Sequence, residues 1–325
     1  MQRFLIIQTA FIGDVILATA LIEKLHARYP DARIDFLLRK GNEGLLKDHP
    51  HISRLYVLDK RTKKWAHVTG MIRELRKKRY DQIINLQRFM TTGLITLFAR
   101  AGQKIGFEKN PLSRFYDLRM PHVIGDGTHE TERNLSLVRH LTDGSFVRPR
   151  LYPTEKNYQA ISRYTGHPFV CIAPASVWYT KQFPADRWVA LINRLPEDKT
   201  VYLIGGPDDQ ALCKDIADQV DRKNVFNIAG KHNFLETAAL MKQAAMNYVN
   251  DSAPLHIASA MNAPVRAVFC STIPGFGFYP LSDDAKVVEL PGDLYCRPCG
   301  LHGFKSCPEG HFRCARDIQI QDLLT

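Results

Sequence analysis

The sequence predicts an α/β protein built from two doubly wound domains, each with a parallel sheet, and three observations support this. Apolar runs of strand length alternate with helical stretches, the pattern of a parallel sheet covered on both faces. The alternation lapses into Pro, Gly and polar residues around residues 142–154 and then restarts, which predicts a linker and domains over 1–150 and 151–325. In the second series, a strand ending at Asn250 runs into Asp251-Ser252-Ala253-Pro254-Leu255-His256, a polar turn followed by a short helix. A helix start at the carboxyl end of a parallel strand offers free N–H groups to an anion, phosphate above all.

In chain order, residues 4–8 read as a buried strand, 15–28 as a helix and 33–38 as a strand. Strands at 56–58, 82–85 and 104–107 continue the first series. The second series places strands at Phe169–Ala173 and 201–204, a helix at 185–194 between them, and a helix at 208–220. It continues with a strand at Val225–Asn227, a helix at 234–245, strands at Met246–Asn250 and Val265–Phe269, and a short final helix within 318–324. Asp251 and Ser252 suit a helix N-cap, and Pro254 is tolerated in a first turn because its missing N–H would be unpaired there anyway. Two such domains in tandem would face a cleft with the carboxyl ends of both sheets.

Charge narrows the partners. Of a net charge of +11, all comes from residues 60–119, with 15 Lys/Arg against 4 Asp/Glu, while the remainder carries 29 of each sign. Such a patch points to an anionic partner: a phosphorylated acceptor, an acidic membrane face or nucleic acid. Nucleic acid is disfavoured because the region shows no known recognition motif and no interleaved stacking aromatics. No apolar run reaches bilayer length, and the N-terminus runs straight into a strand without a signal-peptide layout. The expectation is a cytoplasmic protein, peripheral at the inner face of the cytoplasmic membrane.

Four segments carry a family resemblance. They are Gln8-Thr9-Ala10-Phe11-Ile12-Gly13-Asp14 and Ala173-Pro174-Ala175-Ser176 with Lys181-Gln182-Phe183-Pro184, then Gly205-Gly206-Pro207-Asp208-Asp209, and Asp251-Ser252-Ala253-Pro254-Leu255-His256. In their order and spacing the chain resembles the heptosyltransferases, glycosyltransferase family 9, of GT-B fold. The resemblance implies an inverting transfer of heptose from ADP-heptose to a phosphorylated, lipid-linked saccharide of the lipopolysaccharide inner core, without a metal. Two departures stand out: Ala253 and Pro254 follow where the family usually has Gly, and Asn85 stands where members often have Asp. The rival readings are another GT-B sugar-nucleotide enzyme, such as an epimerase, and a non-catalytic nucleotide-sugar-binding protein.

The chemistry assigns candidate roles. An acceptor hydroxyl must lose its proton, and Asp14, after Gly13 in a strand-to-helix loop, is the candidate base; the alternative is a carboxylate that complements its helix dipole. Thr9, Ala10, Phe11 and Gly13 share its loop as substrate-binding candidates. Negative charge grows on the leaving diphosphate through an oxocarbenium-like state, so fixed donors are needed there. Lys181 is the candidate contact, assisted by Ser176, the turn at Asp251, Ser252 and Ala253, and His256. The resemblance favours Asp209 as acceptor for ribose hydroxyls, with Asp208 a helix cap, although the two could exchange roles.

Seven cysteines remain. Cys171, Cys213 and Cys270 read as ordinary core or surface thiols. Cys296, Cys299, Cys307 and Cys314 follow C-x2-C-x7-C-x6-C spacing, which suggests a structural zinc more than disulfides in a cytoplasmic chain. Reduced thiols ordering a loop are the alternative, and the run Cys307-Pro308-Glu309-Gly310-His311 is similar to segments in some members of the family.

Overall fold

The computed structural model describes all 325 residues and divides them into two compact units. Met1–Ile124 and Thr128–Tyr152 form the first unit, and Gly125–Gly127 with Pro153–Thr325 form the second. No helix is long and apolar enough to cross a membrane.

The first unit holds six parallel strands: β1 (Arg3–Ile7), β2 (Arg33–Arg39), β3 (Arg54–Leu58), β4 (Tyr80–Asn85), β5 (Ala101–Phe107) and β6 (Leu118–Met120). Their spatial order is β3-β2-β1-β4-β5-β6. Residues 4–7 of β1 are fully buried, as a strand with helices on both faces requires. Helices α1 (Ile12–Arg28), α2 (Lys64–Leu75), α3 (Met90–Phe98) and α4 (Glu130–Ser136) cover the sheet. The polar stretch expected as a linker is bound to α1: Tyr152 Oη donates to Glu23 (2.8 Å), Arg150 N to Thr19 Oγ1 (2.9 Å), and buried Lys24 to Asp143 and Ser145. Those bonds hold this stretch in the first unit as far as Tyr152.

The second unit repeats the plan with β7 (Phe169–Ala173), β8 (Thr200–Leu203), β9 (Val225–Asn227), β10 (Met246–Asn250), β11 (Val265–Phe269) and β12 (Ala285–Glu289). The order is β12-β11-β10-β7-β8-β9, again all parallel. Its helices are α5 (Glu155–Ile161), α6 (Ala185–Ile192), α7 (Gln210–Gln219), α8 (Phe234–Gln243), α9 (Ala253–Met261), α10 (Arg313–Arg316) and α11 (Gln321–Leu324). Trp188 of α6 is fully buried and meets the Phe183 ring edge-on at 5.1 Å, and Ile318, Ile320 and Leu323 from the chain end fill the same core.

In each sheet the first strand sits centrally, and the chain builds to one side before returning to the other. This reversal separates β1 from β4 and β7 from β10, and the crevice at the carboxyl ends of such strands is where open α/β sheets bind ligands. Several elements depart from expectation. Helix α1 starts three residues early, at Ile12, because Asp14 caps it from within. The helix expected at 208–220 is split into a 3₁₀ turn (Pro207–Asp209) and α7. Strands β6 and β12 and helices α4 and α5 lie where sequence patterning showed no element.

Candidate active site

In the first unit, the loop leaving β1 meets the loop leaving β4 at the reversal. Buried Gln8 and Gln87 tie them together, the Gln87 amide donating to Gln8 Oε1. Lys60 adds a brace, its ammonium donating to Thr9 O (3.0 Å) and Oγ1 (2.6 Å). Ala10 O accepts from Asn42 (3.1 Å), and Phe11 projects into solvent with Arg39 over its ring at 4.9 Å.

Asp14 follows half-buried, and its Oδ2 accepts from the Phe11 N–H at 3.1 Å. It therefore caps its own helix start, as the alternative reading held. Burial, and next the Glu130 carboxylate, push its carboxyl up to about 6, against the Phe11 N–H and the Lys109 ammonium, which lower it. Glu130 accepts from His122 Nε2 (3.0 Å) and Arg133 Nε (2.8 Å). Burial would raise its carboxyl, but His122, Lys109 and Arg133 outweigh that and hold it below the usual range. Burial draws the ammonium groups of Lys60 and Lys109 down to about 8, with Arg39 and Lys64 adding to the effect at Lys60. The result is a carboxylate poised near neutrality inside a cationic surround, the property a general base needs.

In the second unit, the loops after β7 and β10 are stitched by Asn250, which accepts from Phe183 N (2.9 Å) and donates to Pro174 O (2.7 Å). Lys181 pairs with Asp251 Oδ2 at 2.7 Å, and Thr272 Oγ1 donates to the same oxygen at 2.6 Å. Ser252 occupies the N-cap position of α9, as expected, but neither its side chain nor that of Asp251 bonds to the helix start. The Asp251 carboxylate is turned to Lys181 and Thr272, and Ser252 Oγ reaches the Ala175 and Asn250 carbonyls at 3.5 Å. The α9 start thus keeps its Ala253 N–H without a side-chain cap, and Pro254 occupies the first turn without cost. His256 is buried four residues into α9, edge-on to Phe278 at 6.4 Å. Ser176 lies half-buried in the β7 loop, its carbonyl accepting from Gln182 (2.6 Å).

Asp209, expected at a ribose, caps the turn after β8, its Oδ2 accepting from Gly206 N at 2.7 Å, and Asp208 is exposed. The capping role expected of Asp208 therefore belongs to Asp209. Asn85 is buried and bonded to Tyr116 Oη (2.9 Å) and Gln87 N (2.9 Å). The four C-terminal cysteines do gather, lining one pocket of about 160 Å³ with His311 and Glu309. No three Cys, His, Asp or Glu side chains in the chain are placed to hold a metal ion, so a zinc there rests on sequence spacing alone.

The basic segment differs from its sequence reading. Aromatics do interleave with it: Phe89, 46% exposed, lies under Lys60 and Arg88, and Trp65, 57% exposed, under Lys64. Sequence reasoning missed Glu130, Lys109, Thr272 and Arg297. The only signal for Glu130 was the one-turn spacing to Arg133.

Comparison with known proteins gives a consistent result. The profile of glycosyltransferase family 9 (heptosyltransferase) matches residues 68–304. Lipopolysaccharide heptosyltransferase 3 of Escherichia coli is 31% identical over 278 residues, covering 81% of this chain and 82% of its own. The structure of E. coli ADP-heptose LPS heptosyltransferase II superposes with a TM-score of 0.79 at 20% identity, over 100% of this chain and 96% of that one. E. coli heptosyltransferase WaaC with ADP gives 0.74 at 20% identity, over 90% and 94%.

Proposed function

Because the chain belongs to glycosyltransferase family 9, the heptosyltransferases, we propose that it transfers a heptose, with inversion, from ADP-heptose to a phosphorylated saccharide of a lipopolysaccharide inner core. The observation that carries this reading is Asp14, a half-buried carboxylate held near neutrality where the first sheet reverses. The relative solved with ADP supports the choice of nucleotide.

In this mechanism Asp14 takes the proton of the acceptor hydroxyl as that oxygen bonds to the anomeric carbon. The anomeric carbon–oxygen bond to the diphosphate breaks on the opposite face, and ADP leaves with the electron pair. The Lys181 ammonium and the Ala253 N–H at the start of α9 meet the charge that grows on the departing phosphate. Asp251 keeps the lysine aimed through their 2.7 Å ion pair. The exposed cations at Arg61, Lys63 and Lys64, with Arg88, suit acceptor phosphates and an anionic lipid surface, and exposed Trp65 and Phe89 suit its interfacial layer. The protein would thus work at the inner face of the cytoplasmic membrane. No step calls on a metal.

The deciding experiment is product mass after incubation with a panel of sugar nucleotides and a core-lipid acceptor. Heptose transfer from ADP-heptose is the expected result. Tight donor binding with no product from any donor would favour a nucleotide-sugar-binding protein instead.

A further inference from the structure

Both partners of the Lys181–Asp251 pair lean on one stretch of chain that the proposed mechanism does not use. Beside Lys181 stands Thr180, fully buried. Its Oγ1 accepts from Phe304 N (2.8 Å) and from Ser271 Oγ (3.0 Å), and its own N–H donates to Phe304 O (3.1 Å). Gly303, at φ +80°, brings bare backbone against this corner. A Cβ there would lie 2.9 Å from Thr180 Oγ1, 3.1 Å from Lys181 Cγ and 3.3 Å from Ser271 Oγ. A side chain at 303 therefore has no room, and the close approach braces the aliphatic stem of the lysine.

The carboxylate side is held by the same segment. Thr272, which donates to Asp251, has its carbonyl gripped by Arg297 (2.6 Å). That guanidinium also donates to Phe269 O (3.2 Å) and Glu289 (2.5 Å). Cys299 N donates to Ser271 O at 2.8 Å. The end of β11 is thus pinned from residues 297–299, and the β7 loop from residues 303–304.

The geometry points to residues 297–304, anchored on Thr180 and Ser271, as the positioning element that, directly and through Asp251, presents the Lys181 ammonium to the donor diphosphate. A lysine has four rotatable bonds, and freezing them in advance removes an entropy cost from the moment of binding. The cysteines on either side then need no metal to account for this segment's order near the site. Its backbone contacts and Arg297 supply that order. The inference rests on the reading of Lys181 as a donor contact.

The test uses the full chain, ADP as probe, and three variants measured by calorimetry well below their unfolding temperatures. Thr180→Val keeps the shape and removes the acceptor for Phe304 and Ser271, whereas Thr180→Ser keeps the hydroxyl. Lys181→Ala tests the donor reading itself. Loss of one buried hydrogen-bonding partner predicts about tenfold weaker ADP binding for Thr180→Val, with Thr180→Ser within about twofold of the parent and Lys181→Ala weakest of all. Should Thr180→Val fail to fold, Ser271→Ala, which removes one donor to that hydroxyl, takes its place with a smaller loss expected. If Thr180→Val, or Ser271→Ala in its stead, binds ADP like the parent while Lys181→Ala is weakened, the positioning role falls and the donor site stands. Parental ADP affinity in Lys181→Ala would remove both.

Discussion

The two sheet reversals share a topology and treat charge in opposite ways. At the β1/β4 reversal a lone carboxylate, Asp14, is crowded by burial and by a second carboxylate, Glu130, and its carboxyl rises to about 6. At the β7/β10 reversal the carboxylate and the ammonium face each other at 2.7 Å. The first arrangement makes a group that can gain and lose a proton near neutral pH. The second makes a close ion pair whose members are held aimed at each other. A proton acceptor must be poised, whereas a stabiliser of departing charge must be constant, so one fold serves two tasks by its choice of neighbours.

The largest expected effect separates the two. Asp14→Asn should cut kcat by roughly a hundredfold or more while ADP affinity, measured by calorimetry, stays within error. Turnover close to the parent would return Asp14 to the role of a helix cap. The converse variant, Lys181→Ala, should weaken ADP binding by about thirtyfold, because it removes the ammonium and leaves Asp251 facing the diphosphate.

The pH profile sharpens the contrast. A base is useful only when ionised, so kcat/KM should hold above pH 6 and fall about tenfold per unit below it as Asp14 takes up a proton. In Glu130→Gln the like charge is gone, the Asp14 carboxyl moves down, and the acidic limb should move down by about one unit. A limb that stays in place would show that burial alone sets it. ADP binding through the second unit should not share this limb.

The smallest effect concerns the surface. Reversing Arg76–Arg79 wholesale would mix fold with function, since Lys78 pairs with buried Asp35 at 3.1 Å. Lys63→Glu with Lys64→Glu alters exposed charge and leaves the Lys78–Asp35 pair in place. Binding to anionic vesicles should fall several-fold at low salt and converge with the parent at high salt, because exposed charges are screened beyond about 10 Å at 0.1 M. Equal vesicle binding by the pair variant and the parent at low salt would leave these cations as a solvated face only.

The strands of the second unit were legible almost to the residue, because Phe169–Ala173, Met246–Asn250 and Val265–Phe269 are short apolar runs bounded by turn residues. Edge strand β12 was not, for its Ala285-Lys286-Val287-Val288-Glu289 is only partly buried and carries weak apolar patterning. Asp14 and Lys181 could be singled out because they sit in loops that follow strands and because the resemblance to the heptosyltransferases put the base reading of Asp14 ahead of the helix-dipole one. Glu130 could not, and although Asp251 was named, its pairing with Lys181 was not: Glu130 is 116 residues from Asp14, and Asp251 is 70 from Lys181, so only the folded sheets bring them close. Asp209 differs, for its bond to Gly206 is local and occupies one carboxylate oxygen.

One further property follows from the brace between Lys60 and Thr9. An ammonium drawn down to about 8 is partly the free amine at physiological pH, and Lys109 beside Asp14 shares that condition. A free amine is a nucleophile, whereas its protonated form is not. Two half-buried lysines beside the loop leaving β1 are therefore the natural targets for a covalent ligand bearing a mild electrophile. Such a ligand could select them by chemistry rather than by shape.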